Sequence, residues 1–293
     1  MNHTQSNILG SCGLGIKIEA KGLSPERLWN DILQNKLLYR FIPNFSTEGE
    51  IVNTLQVINS IGTKEAQLDT TGSYISGVYG KDFDSTDVIV ASEYLLERHR
   101  QESGICIIHS SAVYKDDKGI LLVANLTGAG KTSTALFLQE KLGFSLYSDE
   151  KTLIDLTEMA LCGQVEKIYL EEKTANVLAD LNLPKEISIP KTNNKQLSLI
   201  IIPLVTGDLE KPVIRKYSQP QLKWLLYEEL SKDIRLINGM IFNMSIPLMS
   251  LDTQEIAQRR LDQATTLSET VSCYFIQGSL AQIGEEIKTL LEN

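Results

Sequence analysis

Residues Gly119 to Thr132 carry the sequence Gly-Ile-Leu-Leu-Val-Ala-Asn-Leu-Thr-Gly-Ala-Gly-Lys-Thr. The first six residues form an apolar run of the length that is typical of a buried strand. The glycines that follow allow consecutive backbone N–H groups to point at phosphate oxygens. Lys131 and Thr132 then supply the cation and the hydroxyl that a phosphate-binding loop needs. The stretch predicts a strand, a phosphate-binding loop and a helix, and therefore an α/β fold.

The loop departs from the pattern G-x-x-x-x-G-K-[ST] at one position, because Asn125 stands in place of the first glycine. Asn tolerates left-handed backbone, so the substitution weakens the motif without breaking it. Lys131 is expected to contact the β- and γ-phosphates and Thr132 to bind Mg²⁺. The full set of predicted nucleotide-binding residues is Asn125, Thr127, Gly128, Ala129, Gly130, Lys131, Thr132 and Ser133. The alternative interpretation is a glycine-rich turn that binds nothing.

The composition is that of a globular protein, since 42% of the 293 residues are hydrophobic and 22% are charged. A net charge of −9 argues against broad nucleic-acid binding, which requires a basic surface. The longest apolar run, Leu197 to Val205, is too short to span a bilayer, and the N-terminus has no pattern of a signal peptide. Four widely spaced cysteines favour reduced thiols. We expect a cytoplasmic protein that binds neither nucleic acid nor membranes.

Two domains are predicted. Residues 1–95 are expected to form a smaller, mixed α/β accessory or substrate-recognition domain, in which Ser24 and Pro25 begin a helix. Residues 96–293 are expected to form the nucleotide-binding domain, in which strands and helices follow one another. Its predicted elements include a hairpin of strands 104–114 and 119–126, a helix 131–142 ended by Gly143, and a helix that begins after an N-cap at Asp252.

An acidic pair, Asp149-Glu150, follows the next apolar strand after the loop. Ligands of open α/β sheets bind at the carboxyl ends of the strands, so a carboxylate there faces the same edge as the loop. It is expected to hold Mg²⁺ or to act as general base for an attacking hydroxyl. The alternative is a solvated turn, because Ser-Asp-Glu is also common in turns. Arg259 and Arg260 are interpreted as surface charges, of which at most one clamps a phosphate.

His109 ends the apolar stretch that begins at Ile105. A histidine in a strand is commonly a core residue with satisfied hydrogen bonds. This strand, however, is predicted to lie beside the one that enters the loop, which would place His109 near a transferring phosphate as a hydrogen-bond donor or a charge stabiliser.

His109, the loop 125–132 and the pair Asp149-Glu150 together resemble the HPr kinase/phosphorylase family, and more closely the HPr-kinase-like proteins that phosphorylate free serine or tail-modify lasso peptides. The resemblance covers roughly residues 104 to 155. It implies that Lys131 binds the β- and γ-phosphates, that Thr132 binds Mg²⁺, that Asp149 is the acid/base for the acceptor hydroxyl and that His109 is its active-site partner.

The sequence departs from that family at three places. Asn125 replaces a loop glycine, and Glu150, which we assign to Mg²⁺ together with Thr132, replaces the second Asp of the family's pair. The arginine–glycine signature and its metal-binding Glu have no clear counterpart, although Glu166, Glu171 and Glu172 lie in the corresponding region. HPr itself and the phosphorylase reaction are therefore not part of the prediction.

The predicted function is an ATP- and Mg²⁺-dependent kinase that transfers the γ-phosphoryl group to a hydroxyl, such as that of serine, in a small molecule, a peptide or a protein. Homo-oligomerisation is left open. The alternative is a nucleotide-binding switch or NTPase without an acceptor. Chemistry of the phosphoenolpyruvate-carboxykinase type needs further His or Lys metal ligands, and a chain with three histidines offers few.

Overall fold

The computed structural model describes residues 7–62, 64–124, 128–235, 240–241, 243 and 245–292. The chain divides into two compact units, which we call unit 1 (Met1–Cys106 with Leu230–Arg259) and unit 2 (Ile107–Glu229 with Arg260–Asn293). Unit 1 thus extends beyond the predicted boundary at residue 95 and takes in a second, later segment of the chain. Each unit combines helices with a mixed sheet, so the fold is α/β.

The described strands are β1 (Ile8–Ser11), β2 (Leu14–Lys21), β3 (Phe45–Ser46), β4 (Glu50–Asn59), β5 (Glu65–Gln67), β6 (Ser73–Gly77), β7 (Ile105–Lys115), β8 (Lys118–Val123), β9 (Ser145–Ser148), β10 (Lys151–Asp155), β11 (Ala160–Gly163), β12 (Lys167–Tyr169), β13 (Glu186–Ser188), β14 (Lys195–Val205), β15 (Val213–Lys216), β16 (Met240–Ile241), β17 (Ile246–Pro247) and β18 (Ser272–Gly278). The described helices are α1 (Pro25–Gln34), α2 (Leu38–Phe41), α3 (Ser85–Glu102), α4 (Lys131–Leu142), α5 (Glu172–Val177), α6 (Gln219–Ser231), α7 (Gln254–Thr270) and α8 (Leu280–Glu292), with a short 3-10 helix at Ala179–Leu181.

Unit 1 is built on a six-stranded sheet in the order β3-β1-β2-β4-β6-β5. The pairs β2–β4 and β4–β6 are parallel, and the outer pairs are antiparallel. Helix α1 begins as predicted, with Ser24 as N-cap and Pro25 in the first turn. Apolar residues of α1, α2 and α3 share one core cluster with residues of β1, β2, β4 and β6. One face of the sheet is therefore covered by helices.

The later segment of unit 1 is attached to α3 by hydrogen bonds. The Tyr94 hydroxyl lies 2.9 Å from the carbonyl oxygen of Ile234 and accepts from the N–H of Leu251 at 3.0 Å. Gln101 Nε2 donates to the carbonyl of Leu230 at 2.9 Å. These bonds join residues about as far apart in sequence as half the chain, so local sequence patterns carry no sign of them.

Unit 2 is built on an eight-stranded sheet in the order β11-β10-β7-β8-β14-β18-β15, with β9 paired to β7. Strands β8, β14 and β18 run parallel to one another, and β15 and β7 flank them antiparallel. Helices α4 and α8 pack in one core cluster with β8, β14 and β18. The parallel strands and the helix that follows β8 form the frame that holds the loop.

The predicted hairpin and helix around the loop are confirmed. Strands β7 and β8 pair from Ser110↔Val123 to Lys115↔Lys118, and Asp116 in their turn has a φ of +56°. Helix α4 spans Lys131–Leu142 and ends at Gly143, whose φ is +71°. Among the described residues, no helix combines the length and hydrophobicity that a membrane crossing requires.

The N-cap predicted for α7 is wrong by one residue. The helix begins at Gln254, and the Thr253 hydroxyl accepts from the N–H of Ile256 at 3.3 Å, which is the N-cap hydrogen bond. The carboxylate of Asp252 instead accepts from Arg235 Nε at 3.1 Å. The ion pair with Arg235 uses the carboxylate that the sequence assigned to the cap.

Candidate functional site

The phosphate-binding loop lies between the end of β8 at Val123 and the start of α4 at Lys131. Asn125 and Thr127, which the sequence assigns to nucleotide binding, lie outside the described residues. The rest of the loop is described, with left-handed backbone at Gly128 (φ +83°) and at Gly130 (φ +101°). Left-handed backbone at such glycines allows neighbouring N–H groups to point at one anion, as phosphate binding requires.

Gly130 is required by a close approach as well as by its backbone angle. A Cβ atom added there would lie 2.2 Å from Cγ2 of Val205, at the end of β14. The N–H of Val205 also donates to the carbonyl of Ala129 at 2.9 Å. The end of β14 therefore fixes the end of the loop, directly before the first turn of α4.

Strand β7 presents two polar side chains towards α4. Successive side chains alternate between the faces of a strand, so His109, Ser111 and Val113 share one face. Val113 belongs to the same core cluster as Ala135 and Leu136 of α4, which identifies that face. Ser110 lies on the opposite face, where its hydroxyl donates to Oγ1 of Thr152 at 2.9 Å.

The centre of the site is the carboxylate of Asp149, which follows β9 and is only 4% exposed. The hydroxyl of Thr132, in the first turn of α4, donates to Asp149 Oδ1 at 2.9 Å. The hydroxyl of Ser111, on β7, donates to the same oxygen. Side chains from the loop–helix junction and from β7, the neighbour of the strand that enters the loop, therefore meet at one oxygen of the carboxylate that follows β9.

The environment of Asp149 raises its pKa to about 6. Burial is the largest cause, because it disfavours the charged carboxylate. The neighbouring charge of Glu150 raises the pKa further, whereas the hydrogen bonds from Ser111 and Thr132 lower it. A carboxyl group with this pKa changes its protonation state close to neutral pH, which is the property that a general base needs.

Glu150 has an unusual backbone conformation. Its φ is +64°, and the N–H of Lys151 donates across it to the carbonyl of Asp149 at 2.7 Å. This is a γ-turn with positive φ, which is rare and strained for a residue with a side chain. The carbonyl of Glu150 accepts from the N–H of Ser110 at 3.2 Å, so β7 holds the turn in place. Strain of this kind is concentrated at functional sites.

His109 and Glu150 lie next to each other, with His109 Nδ1 3.9 Å from a carboxylate oxygen of Glu150. The His109 side chain is 48% exposed and that of Glu150 is 25% exposed, so both are accessible to a ligand. The predicted residues His109, Thr132, Asp149 and Glu150 are thus brought into one site. Lys131 is the first residue of α4 and half-buried, and Ser133 follows it in the same turn and is buried.

The oxygen ligands at this site fit Mg²⁺. Thr132, Asp149 and Glu150 offer hydroxyl and carboxylate oxygens, which are the donors that a hard cation prefers. In the described part of the chain, no group of three or more His, Cys, Asp and Glu side chains has the arrangement of a metal site. Mg²⁺ in nucleotide sites is held by one or two protein oxygens together with phosphates and water, and this donor set has that character.

Two further residues of the site, Ser111 and Val205, belong to no sequence motif. The signal for Ser111 was its spacing of two residues from His109 on a strand, which places both side chains on one face. Val205 carried no signal, because its role depends on the pairing of β14 with β8. Arg260, interpreted as a surface charge, is 1% exposed and lies over the ring of Tyr227 at 5.3 Å. That part of the interpretation was wrong.

The other predicted residues are placed as follows. Arg259 is exposed and donates to the carbonyl of Glu102. Glu166, one of three candidates for a further metal ligand, forms an ion pair with Lys191 at 3.6 Å. None of the four cysteines forms a disulfide bond in the structure, and two of them, Cys106 and Cys273, are buried.

No model of a known protein family matches this chain, and no protein of curated function matches it.

Proposed function

We propose that this protein is an ATP- and Mg²⁺-dependent kinase with a phosphate-binding loop of the HPr-kinase-like type, and that it phosphorylates a hydroxyl group. The observation that carries the proposal is the carboxylate of Asp149. It is buried, it has a raised pKa, and it accepts a hydrogen bond from Thr132 of the loop–helix junction. A loop that only binds a nucleotide does not need a carboxyl group poised to exchange a proton near neutral pH.

The loop and the first turn of α4 bind the nucleotide. The N–H groups at the start of α4 and the side chain of Lys131 hold the β- and γ-phosphates, where the helix dipole also favours negative charge. Thr132, together with Glu150, would hold Mg²⁺. The ion supplies charge neutralisation of the phosphates when it is bound. Gly130, fixed against Val205, keeps these N–H groups in position.

Asp149 acts as the general base. It takes the proton of the acceptor hydroxyl while the hydroxyl oxygen forms its bond to the γ-phosphorus and the bond from that phosphorus to the departing ADP oxygen breaks. Ser111 holds the carboxylate in place and lowers its pKa, which limits the effect of burial. His109 lies on the exposed side of the pair and donates a hydrogen bond to the transferring phosphoryl group or to the acceptor.

The decisive experiment incubates the purified protein with γ-labelled ATP, Mg²⁺ and candidate acceptors, including free serine and serine-containing peptides. We expect an acceptor to be labelled by the wild type, and Asp149→Asn to lower the transfer rate by about 10³-fold or more. Nucleotide affinity should change little, because the isosteric amide leaves the loop and Lys131 intact. Lys131→Ala is the matched control that should lose nucleotide binding itself.

Two outcomes would contradict the proposal. The first is an Asp149→Asn variant that transfers phosphate at the wild-type rate, since the buried carboxylate would then have no role. The second is tight ATP binding with hydrolysis but without a labelled acceptor, which would favour a nucleotide-dependent switch or NTPase. Acceptors that bear a hydroxyl, whether small molecules, peptides or proteins, are the substrates to which the proposal extends.

A further inference from the structure

The six-stranded sheet of unit 1 contains an open stretch of strand edge. Strand β4 pairs with β2 from Glu50 to Ile58, but it pairs with β6 only from Leu55 to Asn59. On the β6 side, residues 50–54 therefore have no neighbouring strand in the described part of the chain. At about 3.3 Å a residue, this open edge is roughly 16 Å long. Its backbone N–H and C=O groups on that side are available to an incoming strand.

A cavity of about 540 Å³ lies beside this edge. One wall is the first half of β4, and the opposite wall is the loop that precedes β6. The lining residues are Ile51, Val52, Asn53, Thr54, Gln56, Thr70, Thr71, Gly72, Ser73 and Tyr74. The volume falls within the usual range for ligand sites, which is about 300–1,000 Å³.

The wall opposite β4 is preformed. Asp69 Oδ1 accepts from the N–H of Thr71 at 3.2 Å, and the Ser73 hydroxyl donates to the carbonyl of Asp69 at 2.9 Å. Asn53 Nδ2 donates to the same carbonyl at 2.8 Å, which ties the loop to β4. A ligand that enters the cavity would not need to order this loop, so the entropic cost of binding is reduced.

The lining is uncharged and offers hydrogen bonds. None of the ten lining residues is an acid or a base, although 22% of the chain is charged. Within the described residues, Thr54 makes no side-chain hydrogen bond. Gln56 uses only Oε1, which accepts from Lys21 at 2.8 Å, so its amide N–H groups remain available. Thr54 and Gln56 lie on the same face of β4. Ile51 at the mouth is 49% exposed and offers an apolar contact.

We propose that this cavity binds an extended segment of a peptide or protein partner, which adds to the open edge of β4 as a strand. A row of unpaired backbone groups is complementary to another extended backbone, and the side-chain pockets beside it select the sequence. The uncharged lining does not suit a phosphate, a nucleotide or a carboxylate ligand, each of which needs cations or helix N-termini. This cavity is proposed to take a different class of ligand from the phosphate site, and its binding needs no nucleotide.

A substitution that fills the cavity provides the test. A Cβ atom added at Gly72 meets nothing within 4 Å, and its φ lies outside the left-handed region, so Gly72→Trp places an indole at the cavity without backbone strain. Ile61→Trp is the matched control, because Ile61 is 98% exposed in the same unit and does not line the cavity. Both variants are expected to fold.

The probe is a displayed library of random 12-residue peptides, selected on the immobilised full chain without nucleotide, with the selected peptides then synthesised. We expect peptides that bind the wild type and Ile61→Trp equally, and that bind Gly72→Trp at least about tenfold more weakly. Hydrogen exchange should show that bound peptide protects those amides of residues 50–54 that point to the open side of β4. Thr54→Val, which keeps the shape of the side chain, should weaken binding about threefold to tenfold.

The proposal is overturned if the selection yields no binding peptide, if Gly72→Trp binds as well as the wild type, or if the protected amides lie elsewhere. A chain that dimerises in sedimentation experiments, and does so less in Gly72→Trp, would assign the edge to a second copy and would also overturn it. Binding is measured without ATP. A failure here therefore leaves the phosphoryl-transfer proposal untouched, and a failure of phosphoryl transfer leaves this one untouched.

Discussion

At the scale of single residues, Ser111 controls the chemistry of its neighbour Asp149. Its hydroxyl and that of Thr132 donate to one carboxylate oxygen, and both hydrogen bonds favour the charged form. Burial raises the pKa of Asp149 and the two hydrogen bonds lower it, so the pKa rises when one of the donors is removed. Ser111 therefore acts as a positioning residue that also sets the pH at which Asp149 becomes a base.

Ser111→Ala should shift the acidic limb of the transfer rate to higher pH by about one unit. The wild-type rate is expected to rise through a pKa of about 6, where Asp149 loses its proton. Glu150 and His109 face the same site, so the profile is measured as a whole and compared between variants. Ser110→Ala is the control, because that hydroxyl lies on the other face and contacts Thr152. A shift of equal size in Ser110→Ala would show that the effect is general loosening of β7.

The pKa of Asp149 also predicts a dependence of stability on pH. Its folded-state value of about 6 lies above the ordinary value of 3.8, so the folded state binds the proton more tightly than the unfolded state does. The resulting stabilisation is complete below about pH 4 and is lost as the pH rises through about 6. The difference corresponds to about 3 kcal/mol of unfolding free energy.

The amide of Asp149→Asn does not titrate. As the pH rises from about 4 to about 7, the unfolding free energy of this variant should therefore increase relative to that of the wild type. The measurement is urea unfolding at several pH values, with Trp224 as the reporter of unit 2. The chain has two tryptophans, so Trp29→Phe in both proteins leaves that single reporter. A stability difference that stays constant across this pH range would show that Asp149 has an ordinary pKa and would remove one support of the kinase proposal.

Residues with a motif could be predicted, whereas residues that act through a contact could not. Thr132 and Asp149 follow from the loop pattern and from the strand that comes after it, and they meet at 2.9 Å. Ser111 has no motif of its own, and only the alternation of side chains along β7 places it beside His109. The raised pKa of Asp149 depends on burial, which is a property of the whole surrounding core.

At the scale of elements, the end of β14 and the start of α4 are fitted to each other at Gly130. Gly130→Ala should lower the unfolding free energy of unit 2 by about 2–4 kcal/mol, because it combines positive φ with overlap against Val205. Nucleotide affinity should fall with it. Gly128→Ala is the matched control: its φ is also positive, but an added Cβ meets nothing within 4 Å, so only about 1–2 kcal/mol is expected.

A double-mutant cycle separates the overlap from the backbone strain. Val205→Ala removes Cγ2, the nearer of the two atoms that an alanine at position 130 would meet, and leaves Cβ of residue 205 at 2.8 Å. The double variant should therefore recover part of the loss, about 1 kcal/mol relative to additivity. Additive effects would mean that the loop moves away from β14 at no cost. That result would contradict the fixed geometry on which the phosphate site depends.

Elements with strong local signals could be predicted from the sequence. The apolar run of β8 and the glycines after it predicted the strand–loop–helix unit, and Gly143 predicted the end of α4. The start of α7 was one residue off, because Asp252 and Thr253 are both suitable N-caps. The choice between them depends on the hydrogen bond from Arg235 to Asp252, which is a tertiary contact.

At the scale of the whole molecule, unit 1 is assembled from two separate segments of the chain. The boundary expected at residue 95 falls inside α3, and no local pattern reveals that α3 packs with the sheet before it or that residues 230–259 return to it. Long-range hydrogen bonds to α3 define this part of the fold. Their contribution to stability can be measured at one buried side chain, Tyr94.

Tyr94→Phe should lower the unfolding free energy of unit 1 by about 1–2 kcal/mol, because it removes the hydroxyl that bonds Ile234 and Leu251 and leaves the Ile234 carbonyl with only the longer bond from Ser250 at 3.3 Å. The hydroxyl is buried with its ring, lies 2.9 Å from the carbonyl oxygen of Ile234 and accepts from the N–H of Leu251 at 3.0 Å. The reporter is the fluorescence of Trp29, which packs against the core of unit 1, in a Trp224→Phe background.

Tyr74→Phe is the matched control. Its hydroxyl makes a long hydrogen bond of 3.4 Å to the exposed carboxylate of Glu65. The loss of such a bond should change the unfolding free energy by less than about 0.5 kcal/mol. Equal effects of the two substitutions would mean that residues 230–259 do not stabilise unit 1 through Tyr94. A larger effect at Tyr94 would establish that the later segment is an integral part of the unit that α3 completes.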